Sequence, residues 1–232
     1  SVIFEQLKPQ VRFTGKGSIL PSTDGLVLPF EAVSLKAVEV SVYKVYENNI
    51  TQFLQVNNFD GSNQLRRVAV PVLRKTLRLD KMGVSDISKW NRYTLDLSGL
   101  INKEPGAIYQ VKINFNKSHS AYYCNGQAPD DNIVEVNEPE SWDTPENENS
   151  YWDGYEDYYY YDDYSWNERE DPCSNSYYYG SRHLVVRNIL ASDFGLLAKR
   201  GDKGELLVVR EVADGGVRAT APPAPATYQR RE

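Results

Sequence analysis

Apolar and polar residues alternate with a period of two along most of the first half of the chain. In Val38-Glu39-Val40-Ser41-Val42 the valines share one face, and in Ala107-Ile108-Tyr109-Gln110-Val111-Lys112-Ile113-Asn114-Phe115 the odd positions are apolar over a full strand length. Both segments are expected to be strands with one buried and one wet face. Further strands are expected at Gln10 to Thr14, Leu26 to Ala32, Gln52 to Val56, Leu73 to Leu79 and Arg92 to Leu97. Turn clusters such as Ser22-Thr23-Asp24-Gly25 and Asn58-Phe59-Asp60-Gly61 separate them. The only helical stretch expected is a turn around Val84 to Trp90, too short to cross between parallel strands. The pattern therefore predicts an all-β, antiparallel sandwich.

From about residue 121 to 180 the alternation is lost. Tyr151-Trp152-Asp153-Gly154-Tyr155-Glu156-Asp157 is followed by Tyr158 to Tyr161 and then Asp162-Asp163-Tyr164, a low-complexity acidic and aromatic run. Strand signal resumes at His183 to Leu190 and again at Glu205 to Val212, so the run reads as an insertion between strands of one sandwich. Pro222, Pro223 and Pro225 favour an extended linker over Ala219 to Thr227.

Charge sharpens this division. Residues 130 to 171 hold sixteen Asp or Glu against the single Arg169, a net of −15, so the rest of the chain sums to +9 within a total of −6. A basic body beside an acidic segment implies that the segment lies over the body; the alternative is a solvated acidic loop. So acidic a face repels phosphate, which argues against nucleic acid. No run of about eighteen apolar residues is present, so any membrane attachment is expected to come from an anchor outside this sequence.

Cys124 and Cys173 bracket the acidic segment, and two cysteines match no zinc pattern. They are expected to form a disulfide, which implies an oxidising compartment; the alternative is two free buried thiols. Calcium is the cation that such carboxylates would hold, with Asp153, Glu156, Asp157, Asp162 and Asp163 as candidate ligands, although no Asp-x-Asp-x-Asp-Gly loop occurs. The rings of Trp142, Trp152 and Trp166 and the tyrosines either form a platform for sugars or a partner, or fold back to anchor the loop.

Catalytic constellations are missing from the pattern. His119 and His183 are the only histidines and lie in no nucleophile or metal motif; no Gly-x-Ser-x-Gly elbow occurs. Gly15-Lys16-Gly17-Ser18 lacks the earlier glycine of a phosphate-binding loop and reads as a turn. Carboxylate pairs abound in the insertion, but general acid and base roles need rigid, differently tuned environments. Asn49-Ile50-Thr51 and Asn116-Lys117-Ser118 are sequons that matter only in a eukaryotic secretory host.

Several stretches resemble the large bacterial alpha-2-macroglobulin-like proteins, especially those of Bacteroidetes type. They are Leu26-Val27-Leu28-Pro29-Phe30-Glu31-Ala32-Val33, Tyr46-Glu47-Asn48-Asn49, Trp90-Asn91-Arg92-Tyr93, Glu104-Pro105-Gly106-Ala107-Ile108-Tyr109, Asp171-Pro172-Cys173 and Arg187-Asn188-Ile189-Leu190-Ala191-Ser192-Asp193-Phe194-Gly195-Leu196. The resemblance implies a macroglobulin domain, an immunoglobulin-like sandwich repeated along a protein that traps peptidases. It would occupy residues 10 to 200, interrupted by the insertion at 121 to 180, after a lead-in at 1 to 9 and before a following domain or tail at 201 to 232. Its implied partners are neighbouring macroglobulin domains and, through the full-length protein, peptidases. Its implied place is the periplasm or cell surface, with a lipid anchor in the full-length protein. Neither cysteine sits in the family's Cys-x-Glu-Gln thioester motif, so this segment is expected to be non-catalytic, with no cofactor. A second reading is an adhesion or glycan-binding module using the aromatic, acidic insertion, with calcium.

Overall fold

The computed structural model describes residues 6–15, 19–20, 27–57, 61, 65–100, 104, 107–129, 131–139, 164–179, 183–191, 194–201, 204–211 and 217–219, with backbone alone for 19–20 and from 191 onward. A three-stranded antiparallel sheet has the order β1 (Gln10–Phe13), β3 (Val27–Val33), β6 (Asn91–Asp96). Facing it is a five-stranded sheet in the order β2 (Ile19–Leu20), β8 (Val185–Ala191), β7 (Ile108–Asn114), β4 (Ala37–Val45), β5 (Ala69–Arg78). All pairings are antiparallel except the two-residue parallel contact of β2 with β8. β9 (Phe194–Gly201), β10 (Gly204–Glu211) and β11 (Val217–Ala219) form a third antiparallel sheet.

The alternation explains the layers. Leu28, Phe30 and Ala32 of β3 and Tyr93 and Leu95 of β6 face Val38, Val40 and Val42 of β4 and Tyr109, Val111 and Ile113 of β7 in one buried core. Register places Phe30 opposite Tyr93, and their rings stack with centroids 5.5 Å apart. Such cross-strand pairs on one face fix the register, because a slip of one residue would turn the whole set outward.

Three expectations need correction. Gln52 to Val56 is not a strand: it lies in helix α1 (Ile50–Val56). In the helical register Ile50 and Phe53 stand three apart on one face. Phe53 is buried with Tyr43, Val45, Leu65, Val68 and Ile108, while the glutamines face solvent. No helix forms around Val84 to Trp90. The Asp86 carboxylate accepts from the Ser88 backbone amide at 3.0 Å, and Asn91 Nδ2 donates to Asp86 O at 2.7 Å, so side-chain bonds replace helical ones. Finally, β7 has no fully wet face, since Ile108, Tyr109, Gln110 and Val111 are all buried. The second apolar cluster, built on α1, covers its other side.

That second layer requires a polar solution for Gln110. Its Nε2 donates to Asn188 Oδ1 at 2.9 Å across the β7–β8 register, and Asn188 Nδ2 donates to Gly61 O at 2.8 Å. Gln110 Nε2 also lies 3.2 Å from Gly61 O, so replacing Asn188 with leucine removes one of its two acceptors and is expected to lower the unfolding free energy by about 1 kcal/mol in urea denaturation.

Candidate functional site: the disulfide-stapled lobe

Cys124 and Cys173 are bonded, with Cα atoms 5.6 Å apart across a sequence separation of 49. The bond joins two short arms at the end of the sandwich. One follows β7 through a 3-10 turn at Lys117–His119; the other holds 3-10 turns at Trp166–Glu168 and Asn175–Tyr177.

The second arm is anchored by aromatic burial. Tyr177 is 1% exposed within the main core; its ring lies 4.1 Å from His183 and 5.1 Å from Tyr178. Tyr178 meets Phe115 edge to face at 6.1 Å, and burial pushes its hydroxyl pKa up to about 12. Sequence reasoning did not single out Tyr177. The signal was there: after Asp171 the charge stops, and Ser174 to Tyr179 carries none.

The first arm continues into residues 131–139, a strap along the edge of β5. Thr76 N donates to Val136 O at 2.9 Å, and Val136 N donates back to Thr76 Oγ1 at 3.0 Å. Charge reinforces the strap. Lys36 lies 3.4 Å and Arg78 3.8 Å from Asp131, while Arg78 and Lys81 lie 3.7 and 3.6 Å from Glu135. Arg78 also makes a two-pronged contact with Asp80 and holds that carboxyl below its usual pKa. The described start of the acidic segment thus lies over a basic surface and covers part of a strand edge that would otherwise invite pairing. Asp131 and Glu135 are 74% and 55% exposed, so the Asp131→Asn, Glu135→Gln double variant is expected to lose under about 1 kcal/mol, with the effect fading at high salt.

His119 closes the first arm. It is buried; its amide donates to Asn116 Oδ1 at 3.3 Å and its Nδ1 accepts from Asn116 N at 3.4 Å. Burial is the leading cause that lowers its pKa from the ordinary 6.5; Glu39 opposes this and Arg78 adds to it. Between the two pKa values the unfolded chain binds the proton and the folded one does not, so stability falls as pH drops below about 6.5 towards the folded value. His119→Gln is expected to flatten this limb of the melting temperature between pH 7 and 5, relative to the unaltered protein.

Of the residues singled out from sequence, Cys124 and Cys173 meet. Trp166 is 66% exposed, with the Arg169 guanidinium 4.0 Å over its ring. Asp153, Glu156, Asp157, Asp162, Asp163 and Trp152 lie outside the described residues, as does Trp142. Among the described residues no three His, Cys, Asp or Glu side chains converge as metal ligands, and no helix is long and apolar enough to cross a membrane.

Fold and lobe together define an antiparallel β-sandwich of two sheets with a disulfide-stapled, acidic appendage. No protein family and no curated protein matches the sequence. Among solved structures, native alpha-2-macroglobulin from Escherichia coli spanning domains NIE-MG1 is similar at 15% identity and a TM-score of 0.48, over 91% of this chain and 73% of that one. The same protein spanning domains MG0-NIE-MG1 gives 15% identity and 0.47, over 91% of this chain and 48% of that one. Its native conformation by cryo-electron microscopy gives 12% identity and 0.35, and there the chain spans 12% of the other's length.

Proposed function

We propose that the chain is a non-catalytic framework domain of a bacterial alpha-2-macroglobulin-like protein of the cell envelope, which traps peptidases as a whole and sets this domain beside further macroglobulin domains. One observation carries the reading: the stretches that resemble that family fall in order along the sandwich, its lobe and the strand that follows. They occupy β3, the turn after β4, the start of β6, the entry to β7, the stapled Cys173, β8 and the start of β9. Both cysteines are engaged with each other, so neither supplies a thiol for covalent capture. A disulfide also suits the periplasm or cell surface. The expected result is that the chain alone neither cleaves nor retains any of a panel of endopeptidases, while the full parent protein retains them. Turnover of a peptide or glycoside by the isolated chain, lost on replacing one carboxylate, would overturn the proposal. A glycan-binding role has the exposed rings of Tyr123, Tyr164 and Trp166 in its favour; calorimetry with oligosaccharides, with and without calcium, measures it directly.

A further inference from the structure

Residues 6–9 bring the chain into β1 outside any strand, yet they are held at every step. The Leu7 and Pro9 carbonyls are both taken by side-chain hydroxyls: Ser34 Oγ donates to Leu7 O at 2.6 Å and Tyr177 Oη donates to Pro9 O at 2.8 Å. Gln6 acts as a stand-in for backbone, its Nε2 donating to Ala121 O at 3.3 Å and its Oε1 accepting from Tyr123 N at 3.1 Å. Lys8 Nζ donates to Glu170 O at 2.6 Å. Pro9 is buried and brings no N–H that would need a partner. The Leu7 side chain is 47% exposed, so the slot grips the main chain there and leaves the side chain outside.

Ser34 shows that the grip is built. It is fully buried with φ of 52°, a left-handed conformation that costs a non-glycine residue about 1–2 kcal/mol. Glycine would adopt it freely but would lack the hydroxyl. The serine is pinned from all sides: its amide donates to Ile87 O at 2.7 Å and its carbonyl accepts from Ala121 N at 2.8 Å. Strain of this kind persists where the surroundings over-determine it and the side chain is in use.

The slot comes from three separate stretches. Ser34 sits at the β3–β4 corner, Ala121 and Tyr123 just before Cys124, and Glu170 and Tyr177 on either side of Cys173; the disulfide ties the last two stretches together. We propose that the stapled lobe is a redox-dependent latch, a slot that binds residues 6–9 by the carbonyl oxygens of Leu7 and Pro9 and the side chains of Gln6 and Lys8, and so sets the direction in which the chain enters the sandwich. Opening it breaks the S–S bond: a dithiol reductant gives two electrons and two protons, becomes a disulfide itself and leaves two thiols on the protein. This device goes beyond the macroglobulin reading and does not depend on it.

The test is nitrogen-15 relaxation at the Leu7 and Lys8 amides of the whole chain, oxidised and after dithiothreitol, with Ser34→Gly and Tyr177→Phe beside it. Oxidised, both amides are expected at order parameters near the rigid value of about 0.85, falling below about 0.6 on reduction and in each variant. The β4 and β7 amide shifts should stay in place. Ser34→Gly relieves backbone strain as it removes the hydroxyl, so it is expected to stay folded even if the reduced chain does not. Amides that stay rigid after reduction or in Ser34→Gly, or that are already mobile in the oxidised protein, overturn the latch.

Discussion

Truncating Tyr177 to alanine is expected to lower the unfolding free energy by about 3–5 kcal/mol, the usual consequence of emptying a buried aromatic site. The ring is 1% exposed and packs against His183 and Tyr178 within the core between the sheets, so its loss leaves a cavity that a rigid β-sandwich fills poorly. The Tyr177 hydroxyl is a separate matter. Tyr177→Phe keeps the ring and loses the bond to Pro9 O, at a cost of about 0.5–1.5 kcal/mol. Urea denaturation of the two variants separates packing from hydrogen bonding. A Tyr177→Ala loss no larger than that of Tyr177→Phe would mean that the lobe is not anchored by its ring.

The second large effect belongs to the disulfide. Closing a loop over a separation of 49 residues restricts the unfolded chain, and the chain-entropy treatment gives about 4 kcal/mol for a loop of that size. Cys124→Ser with Cys173→Ser is therefore expected to shift the urea midpoint down and to steepen the slope as the unfolded chain expands, and thiol reduction should do the same. Tyr177 and the disulfide hold the same arm, so combining their replacements is expected to cost less than the two separate losses together. A double cysteine variant as stable as the unaltered protein would mean that the arms are held in place without their covalent tie.

Where the sequence was readable, period two was the reason. β3, β4, β6 and β7 each place large apolar residues at every second position, and these are the residues that meet in the core. In β5 the alternation is legible only from Leu73, because Pro71 and the register shift opposite Val42 and Tyr43 break it ahead of that point. β2 is two residues long, too short to show any period. α1 looks like a strand in sequence because Gln52 to Val56 holds Phe53, Leu54 and Val56 in a strand-like composition; the decisive spacing, Ile50 to Phe53, matters only once the second face of β7 needs covering.

The lobe divides in the same way. The pairing of Cys124 with Cys173 and the attraction of the acidic segment for a basic surface follow from composition and spacing. The strap needs more: Val136 meets Thr76 only because β5 ends the sheet and leaves a free amide, a fact of topology that no local pattern carries. Ser34 is the least legible residue of all. Nothing in Ala32-Val33-Ser34-Leu35 announces a left-handed turn, since serine is not the residue that usually occupies one.

Two packed sheets form the stable body, and the stapled lobe is attached to them. Amide hydrogen exchange on the Cys124→Ser, Cys173→Ser variant tests this most directly. The amides of Val40, Val42, Val111 and Ile113, in the central strands, are expected to remain the slowest in the molecule, while those of Ser165, Asp171 and Ser174 in the freed arm exchange orders of magnitude faster. If the two sets exchange at one common rate in that variant, the lobe is part of the body and the account fails.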